Sequence, residues 1–415
     1  MFNRSTIWRA LLGAGMMLSL CVAKAGAYTV LHAFCSQANC ADGAIAHAGV
    51  IVDVAGNLYG TTLQGGDHGG GTVFRIAQDG TETVLYSFCA QTNCADGSAP
   101  YAGLVMDGAG NLYGATACGG ADGCGFGAVF KLAPGGQETV LHAFAGGKDG
   151  ADPNDLVLDQ AGNLYGTTEL GGGKGCGGMG CGTVFRISPS GSEKILYRFC
   201  SQTNCADGSF PWSALLIRSG NLYGTTVNGG ANARGTVFEL SGKKETVLYS
   251  FCPQANCSDG ADPYAAVVAD KAGNLYGTTA NGGANSGGTV FKLSRKGRES
   301  VLHFFCAQQN CSDGYAPFAA LIFDSAGNLY GTTEGGGSGS VSNQCTGCGV
   351  VFKVAADGTE TVLHNFCSKK ECTDGGSFLA GMAGLTRGKS GTLYGTAPQF
   401  GGNGENAGVA YSIHP

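Results

Sequence analysis

The chain has 415 residues, of which only 13% are charged, and its formal net charge is −6. Such a weakly acidic composition disfavours a nucleic-acid-binding function, which depends on clustered positive charge. Glycine accounts for 75 residues but follows no three-residue period, so a collagen-like fibre is excluded.

The N-terminal 25 residues have the features of a secretory signal peptide. Arg4 and Arg9 flank the start of a largely apolar run at residues 10–23, and small residues suited to cleavage stand at both ends of residues 23–25. The run is shorter than a membrane-spanning helix requires. We therefore predict a secreted protein, extracellular or periplasmic, whose mature part, residues 26–415, is a single domain without a membrane span.

From residue 28 onwards the chain repeats one unit. Each unit is predicted to form four short strands, such as Ala102–Asp107, Asn111–Thr116, Gly127–Leu132 and Glu138–Phe144, rich in β-branched and aromatic residues. Four-stranded units repeated about an axis are the blades of a β-propeller. The motif Gly-Asn-Leu-Tyr-Gly-Thr-Thr and its variants mark seven units, with tyrosines at Tyr59, Tyr113, Tyr165, Tyr223, Tyr276, Tyr330 and Tyr394.

The position of the unit boundaries predicts how the ring closes. Residues Tyr28–Phe34 repeat the segment that elsewhere ends a unit, whereas the last unit stops after its third strand, Gly408–Ile413. Pairing of these two segments would complete a final blade and remove exposed strand edges. We predict an all-β, seven-bladed β-propeller closed by the N-terminal strand. An open solenoid, the alternative, would leave the extra strand unexplained.

Cysteines recur in local pairs. Of 19 cysteines, Cys21 lies in the predicted signal peptide, and the other 18 form nine pairs, six of them Cys-x4-Cys at the same place in the repeat unit. Closely spaced, even-numbered cysteines in an exported chain predict disulfides. Zinc is the weaker alternative, since no histidine or second cysteine pair recurs beside each pair. The predicted bridges are Cys35–Cys40, Cys89–Cys94, Cys118–Cys124, Cys176–Cys181, Cys200–Cys205, Cys252–Cys257, Cys306–Cys311, Cys345–Cys348 and Cys367–Cys372.

Strand order assigns the loops to two faces of the ring. Loops from a fourth strand to the next first strand, and from a second to a third strand, share one face. That face carries every long loop and every predicted disulfide. Long loops on a rigid scaffold often hold binding sites. We name this side the long-loop face and predict that function resides there.

An Asp-Gly step recurs on the long-loop face in all seven units. The simpler interpretation is that each aspartate caps its own turn while glycine supplies a positive φ. The alternative is a calcium site or a polar ligand contact, which requires several oxygens to converge at one point. Beyond this calcium alternative, no cofactor and no metal is predicted. The aspartates are Asp42, Asp96, Asp149, Asp207, Asp259, Asp313 and Asp374.

A second ring of positions follows the Asp-Gly steps, where each first strand begins near the expected channel mouth. Its residue type varies among units, and most of its members are aromatic. Packing between blades is one interpretation; stacking on a sugar ring or another flat ligand is the other. The residues are His47, Tyr101, Asn154, Trp212, Tyr264, Phe318 and Leu379.

Histidines are less suggestive of a site. Four of them occupy a fourth-strand position that tyrosine fills in other units, which indicates packing at an amphipathic position. Only two others, His47 and His68, lie in loops of the first unit where a site is plausible. The four strand histidines are His32, His142, His303 and His364.

The motif Asp-x-Ala-Gly-Asn-Leu-Tyr-Gly-Thr-Thr, followed by Gly-Gly and Gly-Thr-Val-Phe, resembles the GloVer (Gloeo/Verruco) tandem-repeat family of exported bacterial proteins. The resemblance runs from about residue 28 to residue 413. It implies export and a propeller-like repeat fold, and it carries no catalytic residue to this chain.

Three functions are compatible with the sequence. We favour a monomeric binding or interaction module that recognises a glycan, a peptide or a surface protein through its long-loop face. A secreted carbohydrate-active enzyme, a hydrolase or lyase, is the first alternative, with Asp152 and Asp262 as candidate acids beside prolines. A structural envelope protein is the second alternative.

Overall fold

The structure, a computed structural model, describes residues 27–119, 125–341, 345–376, 383–404 and 407–415. Seven antiparallel sheets form a ring of seven blades, which we number 1 to 7 along the chain. In each blade the first strand lies towards the axis and the fourth lies outermost. The predicted seven-bladed, all-β propeller is therefore confirmed.

The strands are given blade by blade, from the axis outwards. Blades 1 to 3 contain Ile51–Val52, Leu58–Thr62, Thr72–Ile76 and Glu82–Ser87; Val105–Met106, Leu112–Thr116, Ala128–Leu132 and Glu138–Ala143; and Ala151–Pro153, Val157–Leu158, Leu164–Leu170, Thr183–Ile187 and Glu193–Arg198. Blades 4 and 5 contain Leu216–Arg218, Asn221–Thr226, Thr236–Ser241 and Lys244–Ser250; and Val268–Ala269, Leu275–Thr279, Thr289–Leu293 and Glu299–Phe304. Blades 6 and 7 contain Ile322–Phe323, Leu329–Thr332, Val350–Val354 and Glu360–Asn365; and Thr386–Arg387, Leu393–Ala397, Val409–Ile413 and Tyr28–Ala33.

The loops contain the remaining regular elements. A small hairpin, Ser340–Val341 with Cys345–Thr346, extends the loop between the second and third strands of blade 6. Single 3-10 turns lie at Ala38–Cys40, Thr92–Cys94, Cys176–Gly178, Thr203–Cys205, Ala255–Cys257, Gln309–Cys311 and Lys370–Cys372. Among the residues described, none lies in a helix long and apolar enough to cross a membrane.

The N-terminal strand completes blade 7, as predicted. Tyr28 pairs with Ile413 and Ala33 pairs with Val409, with one register shift between Val30 and His32. The following Phe34 amide donates to the Gly408 carbonyl at 3.0 Å. The two distant segments of the chain therefore share one sheet.

Aromatic side chains fasten each blade to the next. The phenylalanine that ends a fourth strand packs against the third-strand aromatic of the following blade, with ring centroids 4.8 to 5.4 Å apart. In blade 1 the pair is Phe34 and Phe74, both fully buried. A Cβ on the motif glycine Gly60 would lie 2.5 Å from the Phe74 ring, so this close approach requires glycine there.

The first strands are shorter than predicted. In blade 2 only Val105–Met106 is strand, whereas Ala102–Asp107 was expected. The Ala102 carbonyl, at the start of the expected strand, accepts a hydrogen bond from the Thr61 hydroxyl of blade 1 at 3.2 Å, which joins the two blades. Equivalent bonds of 2.8 to 3.4 Å join five further pairs of neighbouring blades. Blade 2 has Ala115 at the threonine position and lacks this link to blade 3.

The Asp-x-x-Gly-Asn turns on the opposite face explain the conserved spacing within each unit. Asp53 accepts from the Asn57 amide at 2.9 Å, the Asn57 side chain at 2.7 Å and the Tyr59 hydroxyl at 3.1 Å. Aspartate holds this position in five blades; blade 7 has Gly388 there, and blade 4 has Arg218 in a turn that is one residue shorter. There Glu239 of the adjacent strand accepts from the equivalent asparagine and tyrosine instead, at 2.5 and 2.8 Å.

Disulfides pin the long-loop face. All six Cys-x4-Cys pairs and Cys176–Cys181 are bridged. Cys118 and Cys348 are also disulfide-bonded, while Cys124 and the Cys345 side chain fall outside the described part. Many disulfides are typical of extracellular or periplasmic proteins. The four sulfurs of two neighbouring bridges, in loops that begin at Cys176 and Cys200, lie within 4.8 Å of one another. As disulfides they offer no thiolate to zinc.

The loop at residues 145–153 is expected to be the most mobile of the seven loops that enter a first strand, because it alone lacks a cysteine pair. Its Asp149 side chain is 25% exposed, whereas those of Asp42 and Asp374 are fully buried. Hydrogen exchange followed by mass spectrometry should show faster amide exchange here than in the bridged loops. Reduction of the disulfides should narrow the difference, and slower exchange in this loop would contradict the expectation.

Candidate functional site

A cavity of about 530 Å³ lies at the centre of the ring. We name it the axial cavity; it is lined by His47–Val50, Tyr101, Gly103, Asn154, Asp155, Trp212–Ala214, Tyr264–Ala266, Phe318–Ala320, Glu334 and Ala383–Thr386. Most of these residues immediately precede the first strands, and Glu334 follows a second strand, which places the cavity mouth on the long-loop face. Its volume is in the range of small-molecule sites.

Five of the predicted ring residues form a continuous arc along the wall of the axial cavity. His47 stacks on Tyr101 with ring centroids 4.0 Å apart, and Tyr101 meets Trp212 edge to face at 6.5 Å. The arc continues from Trp212 to Tyr264 at 5.7 Å and from Tyr264 to Phe318 at 4.7 Å. Leu379, the seventh position of the ring, lies outside the described residues. We name the five contacting side chains the aromatic arc.

Asn154 also lines the cavity, but its side chain is hydrogen-bonded to other residues of the protein. It is 8% exposed, and its amide nitrogen donates to the Pro211 carbonyl at 2.9 Å and to the Thr167 hydroxyl at 3.2 Å. These contacts tie blade 3 to blade 4. Because Asn154 is withdrawn, the rings of Tyr101 and Trp212 contact each other across its position.

Carboxylates accompany the aromatic arc, and the sequence analysis did not single them out. Asp155 and Glu334 line the cavity. The Asp155 carboxylate accepts from the Gly103 amide of blade 2 at 2.5 Å, and desolvation raises its pKa. A third acid, Glu169, lies near the end of the second strand of blade 3, at the repeat position that Glu334 occupies in blade 6.

Electrostatics at the mouth reflects these acids. Burial, and then the negative charges of Asp155, Glu169 and Glu334, raise the pKa of Tyr101 to about 12. Burial likewise raises the pKa of Tyr264, with smaller contributions from Asp262, Glu169 and Glu334. The mouth of the axial cavity is therefore a region of negative potential.

The seven Asp-Gly aspartates lie away from the axial cavity lining. Asp42, fully buried, accepts from the amides of Ser36 and Gln37 at 3.0 and 3.2 Å. Four other blades repeat this pair of bonds. The aspartates thus cap the bridged loops from within. That these aspartates bind a calcium ion stays a prediction.

The fourth-strand histidines and tyrosines point at the same aspartates. The distance from the histidine nitrogen or tyrosine oxygen to the carboxylate is 2.8 to 3.8 Å, as in His32–Asp42 and Tyr197–Asp207. This shared partner explains why histidine and tyrosine interchange at one position. In six units the histidine or tyrosine precedes the aspartate by 10 residues, and this constant spacing is the feature of the sequence that indicates the contact.

The acids proposed for an enzyme, Asp152 and Asp262, do not line the axial cavity. Their backbones have φ of 55° and 57°, and their amides donate to the previous blade at the Phe126 and Arg234 carbonyls. The Asp262 carboxylate also lies 3.6 Å from the Arg234 guanidinium. Burial, followed by the charge of Asp152, raises the pKa of Glu169 to about 7.

The closed ring of seven four-stranded blades with a ligand-sized axial cavity defines the protein as a β-propeller. Residues 10–206, 125–345 and 254–415 match the Gloeobacter/Verrucomicrobia repeat, and together they cover most of the chain. The chain therefore belongs to the Gloeobacter/Verrucomicrobia repeat family. No curated protein sequence is significantly similar to it.

Several solved structures share the fold at low sequence identity. Virginiamycin B lyase from Staphylococcus aureus is 14% identical with a TM-score of 0.55, over 92% of this chain and 99% of that one. The extracellular domain of a putative hybrid two-component system from B. thetaiotaomicron is 14% identical with a TM-score of 0.54, over 90% and 39%. PorZ, a surface component of the type-IX secretion system of Porphyromonas gingivalis, is 14% identical with a TM-score of 0.50, over 88% and 46%. At these identities the likeness concerns the fold alone.

Proposed function

We propose that this protein is an exported binding module that holds a small ligand, or an exposed part of a glycan, peptide or surface protein, in the mouth of the axial cavity. The aromatic arc carries the proposal. Five contacting rings on a rigid wall offer a large, flat, amphipathic surface at little entropic cost. We propose export by an N-terminal signal peptide, residues 1–25, and a monomeric, secreted mature protein of residues 26–415.

The repeat itself supports a recognition role for the arc. Scaffold positions keep one residue type around the ring, such as the third-strand phenylalanine, which only Tyr411 replaces. The arc position instead holds a different side chain in nearly every blade. A seven-fold scaffold thus presents an asymmetric surface, which discriminates among ligands in a way that a symmetric one does not. Extracellular and surface-component propellers share this fold, which agrees with such a role.

Trp212 provides a direct test. The chain has two tryptophans, and the other is Trp8 in the proposed signal peptide. In a Trp8→Phe chain, tryptophan fluorescence reports on the cavity mouth alone. A panel of soluble polysaccharide fragments and peptides should contain ligands that change this fluorescence saturably. Retention without product release supports a binding module, and a panel without any response would oppose it and favour a structural envelope role.

Replacing Trp212 with alanine is expected to weaken the ligand found in this way by about thirtyfold, the effect of losing a central aromatic contact of about 2 kcal/mol. Trp212 is only partly buried, so the melting temperature should change by no more than about 2 °C. Isothermal titration calorimetry and differential scanning fluorimetry measure the two effects.

The matched control for Trp212→Ala is Tyr315→Ala, which removes another ring from the long-loop face. Tyr315 is 40% exposed and lies outside the axial cavity lining. We expect its removal to leave the affinity unchanged. A large loss of stability in Trp212→Ala, with unchanged affinity, would assign Trp212 to packing between blades.

One observation favours a second candidate, a carbohydrate-active hydrolase or lyase. Glu169, whose pKa is raised to about 7 by burial and by Asp152, has the proton affinity that a general acid needs near neutral pH. Product release from the polysaccharide panel would support this candidate. Loss of that release in Glu169→Gln, with ligand affinity retained, would assign the chemistry to Glu169.

A further inference from the structure

We propose that the ligand of the axial cavity is an organic cation, a protonated amine or quaternary ammonium group, which the aromatic arc and the carboxylates of Asp155 and Glu334 hold together. This inference rests on the proposed binding function and specifies the chemical class of its ligand.

The charges on the wall of the axial cavity are the first observation that supports a cationic ligand. Among the described residues that line the axial cavity, the acids are Asp155 and Glu334; His47 also lines it, but neither lysine nor arginine does. Glu169, whose pKa is raised to about 7, adds partial negative charge near Tyr101 and Tyr264. A ligand bearing phosphate or carboxylate would meet repulsion here, whereas a cation is attracted.

The aromatic arc carries the second step. Aromatic faces attract cations through the negative charge above the ring, and tryptophan and tyrosine do so most strongly. Successive rings stand at 72° for Tyr101–Trp212, 74° for Trp212–Tyr264 and 61° for Tyr264–Phe318. Neighbouring rings therefore face different directions around one space. This is how aromatic cages for alkylated ammonium groups are built.

The place of Asp155 in the repeat carries the third step. Blade 3 has one residue fewer between its proline and its buried leucine, Pro153 and Leu156, than its neighbours have, and Asp155 replaces the small residues found there in other blades. Gly103 and Ala214 occupy the cavity wall beside it. Asp155 is exposed at the cavity wall, so its carboxylate is accessible to a ligand that enters the cavity. A cationic ligand would pair with this carboxylate.

Two pairs of probes test the charge preference. The glucosamine disaccharide and cellobiose share one skeleton and differ in carrying ammonium or hydroxyl groups. Choline and 3,3-dimethylbutanol differ in a permanent charge at the same shape. In the Trp8→Phe chain, Trp212 fluorescence should report binding of each charged probe at least about tenfold tighter than its neutral partner.

Neutralising variants identify the groups responsible. Glu334→Gln and Asp155→Asn should each reduce the preference for the charged probe about threefold to tenfold and leave the neutral probe unaffected. Asp79→Asn makes the same charge change in an exposed turn of the opposite face and should change nothing. Asp155→Asn also weakens the hydrogen bond from the Gly103 amide of blade 2, so an unaltered Trp212 emission spectrum is required before its affinities are compared. Glu334→Gln serves as the independent variant.

The outcomes separate this inference from the proposed function. Equal affinity for charged and neutral partners, or tighter binding of the neutral ones, overturns the cation proposal and leaves a neutral-ligand binding module standing. A preference for cations that survives both Glu334→Gln and Asp155→Asn also overturns it. Absence of any response to these probes and to the polysaccharide and peptide panel overturns both proposals together.

Discussion

A chain lacking residues 28–34 is expected to lose its cooperative folded state. Without this segment blade 7 keeps three strands, and the outer edge of Val409–Ile413 becomes unpaired. Fully buried Phe34 leaves its contact with Phe74, and removal of a buried phenylalanine alone costs about 3 to 5 kcal/mol. Circular dichroism melts and gel filtration should show a broad, early transition and association through the open edge.

Moving the same segment to the other end of the chain tests whether folding requires closure of the ring by the N-terminus or only the presence of the fourth strand. In the permuted chain, residues 28–34 follow Ile413 through a copy of residues 77–81, the turn that joins Ile76 to Glu82 in blade 1. This chain contains the same closing strand, now covalently continuous with blade 7. We expect a cooperative melt within about 5 °C of the wild type. A deleted chain that melts like the wild type would show that three strands suffice.

The second large effect concerns the pH dependence of stability. Six fourth strands carry a glutamate as their first or second residue, and its pKa is raised from 4.5 to about 7, first by burial and then by an Asp-Gly aspartate nearby. One carboxyl oxygen of each is buried without a hydrogen-bond partner among the described residues. The six are Glu82, Glu138, Glu193, Glu245, Glu299 and Glu360.

The direction of the effect follows from proton uptake. Between the unfolded pKa of 4.5 and the folded pKa of about 7, the folded state holds protons that the unfolded state has released, so the free energy of unfolding falls as pH rises. After allowance for partial exposure we expect about 0.5 kcal/mol per site and about 3 kcal/mol in all. The melting temperature should therefore be about 5 °C higher near pH 5 than near pH 8.

Other titrating groups limit the pH range in which the glutamates determine stability. Burial lowers the pKa of His32 and His303, so their contribution declines as pH falls and opposes the glutamates with fewer sites. Despite partial desolvation, hydrogen bonds keep the pKa of Asp42 and Asp53 below its usual value, and their stabilisation is lost in acid. We therefore expect maximum stability near about pH 5.

Glutamine substitution at the six sites isolates their role. Glutamine keeps the shape of the side chain and removes its titration. The six-fold variant should be more stable than the wild type near pH 8 and should show little pH dependence between pH 5 and 8. Glu371→Gln, an exposed substitution whose side chain is 73% accessible, is the matched control. A wild-type melting temperature that stays constant or rises from pH 5 to 8 would contradict the expectation.

The fold and the closure of the ring were predictable because both depend on the order of residues along the chain. The seven Tyr-marked units, the unpaired N-terminal segment and the Cys-x4-Cys spacing each depend on local sequence, and the structure confirms them. The aromatic arc was partly predictable, because a repeat places equivalent residues on one ring. Asn154 shows the limit: its position was correct, but its withdrawal towards Pro211 depends on contacts between blades.

The cavity acids were not predictable, for two physical reasons. Asp155 reaches the cavity through a one-residue contraction of blade 3, which conceals its equivalence to Gly103 in an alignment of units. Glu169 and Glu334 stand at the ends of second strands, at a repeat position that is apolar in the other five units, and only the closed ring brings that position towards Tyr101 and Tyr264. The sequence of a single unit does not indicate which of its residues contact a non-adjacent unit.

The closing strand also bears on how such a ring arises and changes. The strands of blades 1 to 6 follow one another along the chain, whereas the outermost strand of blade 7, Tyr28–Ala33, precedes every other strand and its three partners come last. Duplication or loss of whole units in the gene therefore leaves both termini complementary. Genetic recombination is free to alter the copy number, and the geometry of the ring, rather than its ends, decides which numbers survive.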